Sequence, residues 1–167
     1  MSDRTKNRES DEAGVGAPSG SDDDQWIIDS AVFALQRDFK VSILVVFNAG
    51  TNEILALSLH PCLNCAISFA VLFILFREKG RPTQLSLSRF LDPLLAAQLS
   101  DSADRLGTPV KATDRTFWKT ELFEDLACRL AQSCCDLQRY RVLLALRRTA
   151  ERWRCTQNRH RRRVLKE

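Results

Sequence analysis

Trp26-Ile27-Ile28-Asp29, Lys40–Phe47 and Ile54–Leu59 follow one another early in the chain. The runs Val41–Phe47 and Ile54–Leu59 are rich in Val, Ile, Leu and Phe, side chains that fit a pleated surface. Between them, Asn48-Ala49-Gly50-Thr51-Asn52 supplies Gly and Asn where the chain must reverse. The spacing predicts a strand, a second buried strand, a tight turn and a third strand. The first strand carries an ionisable residue, Asp29, among apolar ones. A carboxylate is expensive to bury unless it is paired or bound to a cation, so Asp29 is the first place to look for chemistry. The plainer alternative is an edge-strand Asp facing water.

The remaining pattern alternates. Cys62–Phe76 is the most apolar window, yet it holds Asn64 and Ser68 and stops at Arg77-Glu78-Lys79. It falls short of the roughly 20 apolar residues that span a bilayer. A buried core helix is expected, started by Pro61 and ended by Gly80-Arg81-Pro82. Thr83–Leu87 reads as a short strand. Asp92-Pro93 reads as a helix start, with Asp as N-cap and Pro at the first helical position. That helix runs to Leu106 with Leu91, Leu95, Leu99 and Ala103 on one face, and Gly107 ends it. Thr108–Thr113 is a fifth strand. Phe117–Asp136 and Leu137–His160 are two further helices, the second with Leu143, Leu146, Ala150 and Trp153 on one stripe and arginines elsewhere. The order is β-β-β-α-β-α-β-α-α.

A chain of 167 residues, 44% of them hydrophobic, can bury a sizeable core. Its charge is uneven. Residues 1–25 hold seven acids against three bases, whereas residues 137–167 hold eleven bases against Glu151 and Glu167. A basic end on a near-neutral body points to a polyanion, most often nucleic acid; the alternative is a solvated helix face. Residues 1–25, poor in large apolar groups, are expected to be disordered, and no apolar run follows a basic start, so no signal peptide is read there. Cys62 and Cys65 form a C-x-x-C, with Cys128, Cys134, Cys135 and Cys155 later, but no second C-x-x-C or paired His set completes a zinc site. Structural thiols, buried as small apolar groups, are expected instead, and disulfides are not.

With these residues in order, the chain resembles the catalytic core of DDE-type transposases and retroviral integrases. Trp26-x-x-Asp29 is similar to that family's first-strand motif with its first catalytic Asp. Asn48-x-x-Thr51-Asn52-Glu53-Ile54-Leu55-Ala56 resembles its turn between strands two and three, and Gly80-x-Pro82-x-x-Leu85 its approach to the second catalytic Asp. The helix from Phe117 resembles the one carrying the catalytic Glu, and Asn158-Arg159-His160 a worn form of its closing Asn-x-x-Arg-x-His segment. The resemblance implies an α/β, ribonuclease-H-like fold: a five-stranded mixed sheet, strands one to three antiparallel, flanked by helices. It divides the chain into an acidic tail (1–25), an integrase-like core (26–136) and a basic C-terminal helix and tail (137–167).

The departures bear on function. Where the family has its second Asp, this chain has Ser88, and the Gly two residues later is Phe90. Glu124 follows with thirty-five residues between it and Ser88, a separation the family often keeps, with Glu121 the fallback one turn earlier. In the family, two Asp and one Glu hold two Mg²⁺ ions (or Mn²⁺) for phosphoryl transfer. Asp29 and Glu124 are the metal ligands implied here. A Ser hydroxyl is a neutral, weak ligand for an ion that wants charged oxygens. A loss of ~4 kcal/mol in transition-state binding slows the rate about a thousandfold, and Asp92, the one acid placed to substitute, is already explained as an N-cap. Full-length members usually carry an end-binding domain before the core, so a truncated or decayed core is expected. DNA is the expected partner, through Arg139, Arg147, Arg154, Arg159, Arg161, Arg162 and Arg163, with homo-oligomers, a cytoplasmic or nucleoid location, no membrane and no small-molecule substrate. The alternatives are a non-enzymatic adaptor using the same helix and, on the strength of Cys62–Phe76, a membrane-associated protein.

Overall fold

Strand β1 (Gln25–Ala34) is the centre of a five-stranded sheet ordered β3-β2-β1-β4-β5, completed by β2 (Lys40–Asn48), β3 (Ile54–His60), β4 (Gln84–Ser88) and β5 (Val110–Thr113). The computed structural model describes residues 24–34, 40–118, 120–133 and 139–164, the side chains of 139–141 excepted. The first three strands pair antiparallel, whereas β1–β4 and β4–β5 pair parallel. Helices α1 (Cys65–Lys79), α2 (Pro93–Arg105), α3 (Glu121–Gln132) and α4 (Arg139–Val164) complete the order β-β-β-α-β-α-β-α-α, the ribonuclease-H-like arrangement.

Side chains alternate across the strands and so build two cores. Ile27, Val41, Ile43, Val45 and Phe47 pack against Leu126 and Leu130 of α3 and Leu146, Ala150 and Trp153 of α4. Trp26, Ile28, Leu44, Val46, Leu85 and Leu87 pack against Leu72 and Leu75 of α1 and Leu95, Leu99 and Ala103 of α2. Strands covered on both faces need near-continuous apolar runs, which is why Ile43–Phe47 is unbroken. The C-terminal helix therefore shares a core with the sheet. Truncating Leu146, which is fully buried within that core, falls in the range of about 2–5 kcal/mol typical of Leu-to-Ala changes.

Several boundaries differ from those expected. Helix α1 begins at Cys65, not at Pro61, because the Asn64 side chain accepts the Ile67 N–H as N-cap. It is apolar on all sides but only partly covered: Phe73 and Ile74 are each more than half exposed. Its end at Gly80, with φ of 86°, is as expected. Asp92 caps α2 through the Leu95 N–H, with Pro93 in the first turn. Helix α3 starts at Glu121, not Phe117. The thiols of Cys62, Cys128 and Cys155 are free and exposed and that of Cys65 free and partly exposed, against the expectation of buried thiols. Cys134, Cys135, the Arg139 side chain and residues 1–23 of the acidic tail lie outside the described residues.

Candidate functional site

Asp29 sits on the central strand and is fully buried, which overturns the edge-strand reading. Its carboxylate is held by three donors. Oδ1 accepts the Ser30 N–H (2.9 Å), and Oδ2 accepts both the Thr116 hydroxyl (2.6 Å) and the Phe117 N–H (2.9 Å). Hydrogen bonds to an ionised acceptor are roughly twice as strong as neutral ones, so these three offset the cost of burial. They also tie Thr116 and Phe117, just ahead of α3, to the central strand; the helix itself has its N-cap at Thr120.

Ser88 ends β4 beside it. The parallel register pairs Ile27 with Ser86 and Ile28 with Leu87, so the next step along both strands brings Ser88 level with Asp29 on one face. Ser88 is buried, and its hydroxyl accepts the Phe90 N–H (3.3 Å). Glu121 and Glu124 occupy the first turn of α3 and are exposed. At 100° per residue, Glu124 projects about 200° round the helix from the buried Leu126. Among the described residues, no group of three or more His, Cys, Asp or Glu side chains is placed to hold a metal ion. Mg²⁺ takes near-octahedral charged oxygen ligands. A sealed Asp29 with its oxygens already engaged, a buried hydroxyl and two exposed glutamates do not fit that requirement.

Helix α4 presents three stripes, separated by its 3.6-residue period. Val142, Leu146, Ala150 and Trp153 face the core. Arg147, Arg154, Asn158 and Arg162 form a second stripe against β3, an edge strand of the sheet. Arg147 Nε donates to the Leu59 carbonyl (2.8 Å), and Arg154 Nη1 to those of Ile54 and Leu55. Asn158, buried, accepts the Ile54 N–H (2.9 Å) and donates to the Ile54 carbonyl (2.7 Å). Arg162 pairs with Glu53 at 2.6 Å. These contacts cover unpaired strand-edge groups. The third stripe is Arg148, Arg152, Arg159 and Arg163, at intervals of four, seven and four residues, all exposed. These four fall within about 60° of one another and extend roughly 22 Å along the helix. Their side chains make no ion pair or hydrogen bond among the described residues. Of the arginines expected to meet phosphate, Arg147, Arg154 and Arg162 are thus engaged within the protein, and Arg159, Arg161 and Arg163 have no side-chain partner among the described residues. Arg148 and Arg152 were missed, although their spacing was there to be read.

His60, at the end of β3, has its pKa lowered, first by burial and then by the Arg147 charge. Arg147 has only donors to offer Nδ1 (3.4 Å), which leaves Nε2 carrying the proton toward the Ser58 oxygen (2.6 Å). With its folded value below the unfolded one of about 6.5, His60 binds a proton more readily in the unfolded chain. Its contribution to stability is present above that pH and lost as pH falls through the folded value. Between pH 7 and pH 5 the urea midpoint of the wild type should therefore drop further than that of His60→Gln; parallel drops would mean the ring does not sense unfolding.

No protein-family model matches the chain, and no curated protein matches it. Solved structures do. The chain is similar to the simian T-cell lymphotropic virus intasome in complex with PP2A regulatory subunit B56 gamma, at TM-score 0.53 and 11% identity, over 75% of this chain and 47% of that one. It is also similar to the HTLV-2 integrase catalytic core domain in complex with magnesium. The trimeric form gives TM-score 0.55 and 10% identity over 77% of this chain and 82% of that one; the dimeric form gives 0.51 and 12% over 74% and 82%. The chain thus spans about half of the intasome chain and most of the isolated core. These likenesses show the fold: this is the ribonuclease-H-like fold of retroviral integrase catalytic cores.

Proposed function

We propose that this chain is a non-catalytic derivative of an integrase or transposase core that binds duplex DNA along α4. The observation that carries the reading is the stripe Arg148, Arg152, Arg159 and Arg163, four exposed guanidinium groups on one helix face with no acid paired to them among the described residues. Such a row meets phosphates by counterion release and reads no bases. The other half of the reading is the loss of the metal centre. Asp29 is a structural carboxylate, Ser88 replaces its family counterpart, and neither Glu124 nor Glu121 completes a ligand set. Self-association and a location with the DNA belong to the same reading. No helix among the described residues is long and apolar enough to cross a membrane.

Anisotropy of a random-sequence duplex, titrated against salt, tests it. The Arg159→Gln/Arg163→Gln variant should lower the log–log salt slope by roughly 1.8, about 0.9 per lost phosphate contact. Arg162→Gln, which removes a charge already paired with Glu53, should leave the slope unchanged. Equal slopes for the wild type and the double variant would overturn DNA binding by this stripe, and binding of an acidic polypeptide without duplex would favour the adaptor reading. Plasmid nicking with Mg²⁺ or Mn²⁺ that disappears in Asp29→Ala would overturn the non-catalytic half.

A further inference from the structure

A small cavity of about 340 Å³ opens between the β2–β3 turn, the segment leading into α3 and the end of α4. Phe47, Ile54 and Phe117 contribute its apolar lining, and Arg115 and Arg161 its charge. Among the described residues no acid lines it. Of the acids nearest in sequence, Glu53 is paired with Arg162 and Asp114 with Arg89, and Glu121, between the lining residues Thr120 and Leu122, is exposed. We propose that this cavity is an oxyanion site that takes a phosphoryl group between the two guanidinium groups.

Three features support it. Arg161 is half-buried, lying on α4 between the core stripe and the β3 stripe, and among the described residues it has neither an ion pair nor a hydrogen bond. Burial alone lowers its pKa, with no acid raising it in return. A charge removed from water without a partner is costly, and a bound anion removes that cost. Arg115, by contrast, is fixed in place: Nη1 donates to the Ala49 carbonyl (3.1 Å) and Nη2 to Asn52 Oδ1 (3.0 Å). It still holds further N–H donors, since a guanidinium carries five. The threonines of the cavity are spent as donors, Thr116 on Asp29 and Thr120 on the Phe117 carbonyl. Binding therefore rests on the arginines, whose planar forks match phosphate oxygens.

The site does not depend on the duplex reading, because Arg161 is outside the stripe assigned to duplex DNA. The test titrates the intact chain with inorganic phosphate and, separately, with a dithymidine phosphodiester, at constant ionic strength set with chloride, following the arginine Nε–H NMR signals. At least one probe should saturate. Arg161→Gln should weaken it by about tenfold or more, as expected for loss of a charge-assisted contact, Arg161→Lys should weaken it less, and Arg159→Gln not at all. Saturation by phosphate assigns the site to a free phosphate, and saturation by the diester alone to a nucleic-acid backbone. A second readout is thermal: phosphate or the diester should raise the melting temperature of the wild type and not that of Arg161→Gln. Absence of saturation by either probe, or equal affinity in wild type and Arg161→Gln, overturns the proposal.

Discussion

Replacing Asp29 with Ala should destabilise the fold by about 3 kcal/mol, because it removes the acceptor of the part-buried Thr116 hydroxyl and of the buried Phe117 N–H. Thr116→Val removes one donor of three and should cost about 1–2 kcal/mol. Asp29→Asn keeps the volume but offers one acceptor oxygen in place of two, so it should fall between them. The sign is diagnostic. A carboxylate held ready for metal among other acids suffers like-charge repulsion when no ion is bound, and removing it relieves that strain. Urea unfolding followed by tryptophan fluorescence measures the difference. An Asp29→Ala protein as stable as wild type, or more so, would return Asp29 to the list of metal ligands.

The second large effect is expected at Asn158. Its amide forms two buried hydrogen bonds with the backbone of one residue, Ile54. Asn158→Leu leaves that N–H without its partner and the carbonyl with only the Arg154 guanidinium (3.2 Å), at a cost of about 1–3 kcal/mol. Arg159→Gln, one position along and exposed, should change stability by less than about 0.5 kcal/mol. Hydrogen exchange at Ile54 should accelerate in the Asn158 variant before the rest of the sheet responds. Unaltered protection there would mean that α4 covers β3 by its apolar contacts alone.

These residues also show where the sequence was legible. The strands and their order follow from short runs rich in Val, Ile, Leu and Phe and from the Gly- and Asn-containing turn, which act locally. The Asp92-Pro93 helix start is equally local and is found where expected. The start of α1 was misplaced because two starters compete within four residues, and the Asn64 side chain, which bonds the helix directly, outweighs Pro61. The start of α3 was misplaced for a different reason. Thr120 stands at the N-cap with extended backbone, while Thr116 and Phe117 are held to Asp29, 88 residues from Phe117, and no pattern around Phe117 records that. The same distance hides the role of Asp29: a buried acid signals that something must satisfy it, not whether that is a cation or a pair of donors. For the arginines, a count of charge pointed to a polyanion, but only the contacts of α4 divide them into those that close the sheet and those left facing outward.

The bonds from α4 to β3 also set an order of events during synthesis. Asn158 closes an edge strand laid down 104 residues earlier. At about 5–20 residues per second, the ribosome takes roughly 5–20 s to supply that cover once Ile54 has been made. During that interval the first three strands have one flank of unpaired backbone open to other nascent chains. The β3 edge is covered only after the last helix emerges, and a messenger cut short anywhere before Asn158 would release a sheet with an unguarded edge.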